Sequence, residues 1–523
     1  MMGKHKSRIL FLATLLLAVL TATALVVISP GILASEKEYF RQEELVRDAE
    51  QLVDIIERTH PDPYIRGGGK IAFHRNYQAV LNSIPEEGLR RDDFGRLLRP
   101  FVASINDGHT LLEDPYSIDK AQPGGVPLLF HVVEESLYVA GVAGTENDEL
   151  IGSLLVSVEG VPLAELIERQ KRWQGVENTY HALYLLSNQS LLYYPYMTDL
   201  LPEWKDVQQV RVGLQLPTGR IREFIFNLPV DADTLYIPES QVNLPAPGES
   251  GFLYDFLDQE KEIAYLRVDH MQGYRELYER RNDSKAEDYP SATEVFRGLV
   301  IDMKEAETRM LVVDLRNCVG GSSLMSDIAV YFLYGKDTLQ FVKGAAYTAG
   351  GGSIFKRPPS SKKRAYDFTW DFSDDAERFE GLSSEVPTLL EEFAKEMPTF
   401  YAEYETGAHG GYYLPEQVVV LVSPRTFSSG FVMMRYFYLA NATLVGTPSG
   451  QAINWFCDPI RLNLKNTDMK VVVSTTYCMH LLPDEPEVNL FLPVHHTMSY
   501  ERLKQYDFDA NSEFLYAIDL FLK

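Results

Sequence analysis

Val418-Val419-Val420-Leu421-Val422-Ser423-Pro424-Arg425-Thr426-Phe427-Ser428-Ser429-Gly430 places an unbroken apolar run directly before a turn of small and polar residues, and Phe431 to Ala440 continues in a helical pattern. An apolar run of this kind, bounded by turn residues, reads as a strand buried on both faces with a helix returning over the sheet. The alternation repeats on either side. Strands are expected at Ile263 to Val268, Met310 to Leu315 and Ala442 to Val445, and helices at Thr293 to Ala306, Leu324 to Gly335 and Gly430 to Ala440. Strands alternating with helices predict an α/β domain over residues 231–523, its helices packed on a largely parallel sheet. The stretch at about 345–411, rich in Gly, Tyr, Lys and acidic residues, breaks the rhythm and reads as an insertion.

Upstream the period changes. Between Gly124 and Pro229 short runs rich in Val, Leu and Tyr alternate with turns, interrupted by a helix around Leu163 to Gln170, which describes a β-rich module over 124–230. Such a module suits the pairing of an extended peptide with a free strand edge, or it only packs, and the pattern favours neither. Residues 36–123 carry helical stripes: Leu45, Ala49, Leu52 and Ile56 stop at Pro61, Phe73 to Ile84 stop at Pro85, and Phe94 to Val102 follow Asp92 as the expected cap. This helical subdomain ends in the turn cluster Asn106-Asp107-Gly108-His109-Thr110. Within residues 1–35, Lys4, Lys6 and Arg8 precede the apolar run Ile9 to Ile28. That pattern fits an uncleaved membrane anchor or a signal peptide cut near Ala22-Thr23-Ala24, and both place the body outside the cytoplasm.

With 523 residues the chain exceeds what one hydrophobic core supports. A net charge of −25 argues against a grip on nucleic acid, which depends on cations neutralising phosphates. The three cysteines, Cys318, Cys457 and Cys478, form no CxxC pair, so no cysteine zinc site or disulfide scaffold is encoded, and one Cys457–Cys478 bridge stays open.

Chemistry can sit at three junctions. Leu311 to Arg316 runs into Asn317-Cys318-Val319-Gly320-Gly321, where paired glycines after a strand free backbone N–H groups to face an anion. Ser428 stands at a strand-to-helix turn, with a helix N-terminus behind it that favours developing negative charge. A serine in such a place is most often an ordinary helix cap. His109 sits in a polar turn, and Thr426 stands where a GxSxG elbow would have its first glycine.

Taken together in chain order, these segments resemble those of the serine peptidases related to tail-processing proteases and the tricorn core. Asp107 to Thr110 match an Asp-Gly-His-Thr segment; Asp314 to Gly321 match an Asp-Leu-Arg-x-Asn-x-Gly-Gly turn, except that Cys318 replaces Asn; Thr426 to Gly430 match the serine-bearing turn; and Leu444 to Gly450 echo the following strand. The resemblance implies a crotonase-like (ClpP/crotonase) catalytic domain and a PDZ-like module at 124–230. It implies Ser428 as nucleophile, His109 as general base of the tricorn-like branch, and N–H groups of Gly320 or Gly321 and Ser429 as the oxyanion hole. The carboxylate that orients His109 is implied to be Glu487, in a degraded match at Glu487 to Val494, with Asp484 and Glu485 as competitors. The substrate is then a protein or peptide, no cofactor or metal is required, and a homo-oligomer is compatible.

Rival readings remain. Cys318, the degraded Glu487 segment and Phe431, where the family often has an acidic residue, suit an inactive, anchored peptide- or protein-binding relative. An acyl-CoA enzyme of crotonase type would need a basic CoA site. A metalloenzyme lacks HExxH, and His495-His496 are adjacent and so point apart on a regular element.

Overall fold

The structure, a computed structural model, describes residues 38–113, 124–143, 148–204, 208–228, 235–247, 250–348, 352–354, 390–392, 394–407, 413–479 and 491–521. The apolar run Ile9 to Ile28, most of the expected insertion, and Asp484, Glu485 and Glu487 lie outside the described residues. Among the described residues no helix is long and apolar enough to cross a membrane.

Six strands lie side by side in chain order: β1 (Phe252–Phe256), β2 (Ile263–Val268), β3 (Met310–Asp314), β4 (Gln417–Val422), β5 (Thr443–Gly446) and β6 (His496–Thr497). β1 runs antiparallel to β2, and the other pairs are parallel. Successive side chains of a strand point to opposite faces. Leu311, Val313, Val418, Val420 and Val422 therefore join one core with the helices Ala292–Ala306, Leu324–Thr348 and Ser429–Leu439. Met310, Val312, Val419, Leu421 and Val445 pack instead with Phe514 and Ala517 of the helix Ser512–Phe521. Cover on both faces is why β3 and β4 read as unbroken apolar runs. The mixed α/β expectation holds, with one helix longer than expected: Gly335, at φ 85 and ψ 177, kinks the helical stretch, which resumes and continues to Thr348.

The helices Gln42–Thr59, Gly69–Ser83 and Arg91–Ala103 form the N-terminal part. Asp92, expected as a cap, lies in the first turn behind Arg90, where a negative charge still suits the helix dipole. These helices share their core with Leu464, Met469, Val471 and Val473 from far along the chain. The Asp48 carboxylate accepts the N–H groups of Asn466 (2.9 Å) and Thr467 (2.8 Å), and the strand Leu111–Leu112 pairs antiparallel with Lys470–Val473. The turn that carries His109 is thereby docked onto the C-terminal half.

Among the described residues the module after Gly124 is a seven-stranded sheet, in which strand Leu128–Val133 pairs with Ser136–Ala143 alone. Strand Leu235–Tyr236 also joins Ser136–Ala143, so this sheet reaches past residue 230. The helices Thr179–Leu185 and Tyr194–Leu200 were not expected; both are only two turns long, too short for a periodic signal. Cys457 and Cys478, on adjacent antiparallel strands, stand as thiols with their Sγ atoms 3.3 Å apart. His495 accepts the Leu444 N–H (3.0 Å) while His496 packs edge-on to Tyr516 and Phe521, so the two rings do face apart.

Candidate active site

Ser428 occupies the turn between β4 and the helix Ser429–Leu439 with φ 54 and ψ −124. A serine in this region costs on the order of 1–3 kcal/mol and persists only where its surroundings impose it. Its side chain makes no capping hydrogen bond, so the ordinary cap is not its role. The surroundings are specific. Thr426 Oγ1 donates to Leu315 O (2.8 Å) and accepts the Ser423 N–H (3.1 Å), work a glycine at that elbow position could not do. Phe427 N–H donates to Cys318 O (3.0 Å), and a Cβ on Gly430 would lie 2.6 Å from that same oxygen. Cys318, wholly buried, thus seats the start of the helix.

The diglycine bend closes on the serine from the other side. A Cβ on Gly320 would stand 2.7 Å from Ser428 Cβ and 2.8 Å from Ser429 N, so only glycine brings this backbone so near. The bend is held by Met271 N–H to Gly320 O (2.8 Å) and Ser429 Oγ to Gly321 O (2.8 Å). Behind it Arg316 donates to Asp314 and Glu513, and Tyr265 donates to Asp314 (2.7 Å), which locks the Asp-Leu-Arg corner.

His109 arrives from the early turn. The Asp107 carboxylate accepts the His109 N–H (2.9 Å) and the Ser474 hydroxyl (2.6 Å), and lies 3.2 Å from His60 Nε2. The His109 ring stacks on Phe427, centroids 5.0 Å apart, and His181 lies against the same Phe427 ring at 4.7 Å. A Cβ on Gly108 would fall 2.7 Å from both Phe427 and His181, which accounts for the glycine of Asp107-Gly108-His109. Glu177 Oε1 is 3.8 Å from His109 Nδ1. Both ring nitrogens of His109 are buried without a hydrogen-bond partner, so no Ser428–His109 bond is formed here.

Residues 262–476 match the sequence pattern described as Peptidase family S41. This segment is similar to family S41, a family of serine-type peptidases. A comparison with curated protein sequences gives no match. Among solved structures, mature CPAF is similar at 13% identity and a TM-score of 0.56, covering 92% of this chain and 97% of its own. Mature CPAF complexed with lactacystin matches at 12% identity and a TM-score of 0.55, covering 92% and 98%. At these identities the likeness is one of fold. The photosystem II D1 C-terminal processing protease, at 15% identity over 89% of this chain and 95% of its own, has a TM-score of 0.40 and adds nothing to the fold assignment.

The matched segment contains Ser428, Gly320, Gly321 and Ser429, while His109 and Glu177 reach the site from outside it. Burial opposes charge on His109, but Glu177, Asp107 and Asp458 outweigh it and hold the imidazole above its ordinary value. Burial, with the neighbouring His109, pushes His181 down to about 3, so that ring stays neutral. Asp107 is ionised: burial resists, but His60, His109 and Ser474 hold its carboxyl far below the ordinary carboxylate range. Burial pushes the Cys318 thiol up to about 12, opposed by the Gly320 N–H that faces it.

Glu177 was missed from the sequence. It precedes Asn178, the cap of Thr179–Leu185, and nothing in Gly175-Val176-Glu177-Asn178 separates it from any other loop carboxylate. Its Oε2 accepts from Gln451 Nε2 and from the Ala452 N–H (3.0 Å), leaving Oε1 unpaired and turned toward His109. Asp107, His109 and Glu177 have ligand atoms within 4.8 Å of one another, a spacing that also suits a divalent ion. A cavity of about 450 Å³ opens beside Glu177, lined by Arg66, Asn106, Tyr180, Tyr477 and Phe491 among others.

Proposed function

We propose that the chain is an extracytoplasmic serine endopeptidase that cleaves peptide bonds through an acyl-enzyme at Ser428, with His109 as general base. The backbone of Ser428 carries this reading: a non-glycine residue held at φ 54 and ψ −124 between a buried strand and a helix, its hydroxyl unused by the cap. A strained strand-to-helix turn of this kind exposes an Oγ and puts helix N–H groups beside the carbonyl it attacks. A hydroxyl is a poor nucleophile until a base takes its proton, and a neutral His109 does that near neutral pH.

The serine's own N–H is engaged by Gln451 Oε1 (2.9 Å). The oxyanion then falls to Ser429 N–H with Gly320 or Gly321 N–H, of which the Gly320 N–H also faces the Cys318 thiol, and the closeness of the diglycine bend to Ser428 and Ser429 supports that pairing. Glu177 faces His109 Nδ1 and stabilises the imidazolium formed on attack; Glu487 stays the carboxylate that family resemblance implies. The positively flanked run Ile9 to Ile28 supports export, by anchor or by cleaved signal. Strand Leu128–Val133, which among the described residues pairs with Ser136–Ala143 alone, supports the PDZ-like reading, in which a peptide adds to a strand edge.

The unpaired ring nitrogens of His109 favour a second reading, an inactive binding protein that keeps the fold. An active-site label decides between them. A fluorophosphonate probe is expected to modify wild-type protein at Ser428, located by peptide mapping, and not Ser428→Ala. An unlabelled wild type, beside a reactive control peptidase, rejects the enzyme reading. The pH dependence follows from the raised His109 value: the base works only when neutral, so kcat/KM should climb with pH through a midpoint above the ordinary imidazole value of about 6.5. A midpoint below 6 would exclude His109 in its carboxylate-flanked setting as the titrating base.

A further inference from the structure

Gln451 is fully buried and connects the two halves of the site. Its Oε1 accepts the Ser428 N–H (2.9 Å), and its Nε2 donates to Glu177 Oε2. Its backbone is fixed as well: Gln451 N–H donates to Ser449 Oγ (2.9 Å), the Ser449 hydroxyl donates to Thr426 O, and the Gly450 N–H donates to Pro424 O (3.1 Å). An N–H on one side and a carboxylate on the other allow one amide orientation, because the flipped amide would set donor against donor and oxygen against oxygen.

Resting on the serine peptidase reading, we propose that Gln451 is a positioning residue that couples the nucleophile to the carboxylate beside the base. By holding the Ser428 N–H it helps impose the strained backbone that exposes Oγ. By occupying Glu177 Oε2, together with the Ala452 N–H, it leaves Oε1 as the oxygen that faces His109. One amide thus sets the direction of the hydroxyl and the polarity felt by the imidazole.

Gln451→Glu tests the coupling with almost no change of shape. A carboxylate oxygen can still accept the Ser428 N–H, but its partner oxygen then meets Glu177, and two buried carboxylates in contact share one proton at low pH and repel once it is lost. Wild-type kcat should rise with pH and level off. The variant should become bell-shaped, with a new alkaline limb and kcat lowered about tenfold or more at pH 8, while KM changes by less than about threefold. Glu177→Gln combined with Gln451→Glu restores an amide facing a carboxylate. That double variant should lose the alkaline limb and melt at a higher temperature at pH 8 than Gln451→Glu alone, even though it lacks the carboxylate beside His109.

If the wild type hydrolyses peptide and labels at Ser428, but Gln451→Glu keeps the wild-type pH profile, the coupling is wrong and the peptidase reading stands. A wild type that neither hydrolyses nor labels takes both down. Should Gln451→Glu fail to fold, the double variant alone decides: a folded double variant supports the pairing, and one that also fails overturns it.

Discussion

Ser428→Ala is expected to lower kcat for peptide hydrolysis by a factor on the order of 10⁴ to 10⁶, the range found when a peptidase loses its nucleophile and keeps only its oxyanion hole and substrate binding. The variant should fold. The side chain makes no capping bond, and the interactions that impose the turn, from Gln451, Thr426 and Cys318, reach backbone atoms or neighbouring residues. Alanine is no worse suited than serine to φ 54, so thermal unfolding should shift by only a few degrees, which separates lost chemistry from lost structure. Turnover within about tenfold of wild type, in an equally stable protein, would remove Ser428 from the mechanism.

His109→Ala comes second, with kcat expected to fall by a factor on the order of 10² to 10⁴ and KM to change little. The base must meet the Ser428 proton within hydrogen-bond reach, and the ring nitrogens have no partner in the free chain. Substrate binding therefore has to bring hydroxyl and imidazole together, as catalytic hydrogen bonds often tighten only in the complex. The stack of His109 on Phe427, the residue before Ser428, already holds the ring beside the serine's turn. Free imidazole should restore part of the lost rate by entering the space the ring leaves beside Phe427. Unchanged turnover in His109→Ala would dismiss it as the base.

Much of the α/β domain was legible because burial on both faces leaves its mark on each strand. Val418 to Val422 and Met310 to Val313 contain no polar residue, and the strands found there end within a residue of expectation. The Ser428 turn and the diglycine bend were legible for a related reason: a close backbone approach demands glycine, and Gly320 and Gly430 each face contacts that a Cβ would block. Short helices were not legible, since Thr179–Leu185 is too brief to show a period. The Asp92 cap was misplaced because first-turn and cap positions attract the same acidic residues.

Chemical types and local turns follow from the chain read alone: the serine at a strand-to-helix turn, the Asp-Gly-His turn and the glycines that admit a backbone. Tertiary structure decided which distant groups meet. Glu177 has no motif, yet packing sets it 3.8 Å from His109 and binds it through Gln451 to the Ser428 N–H. The physical reason is range. Propensity, capping and glycine sterics act over a few residues and leave a local trace, whereas a buried carboxylate or amide is defined by partners brought near only when separate cores dock.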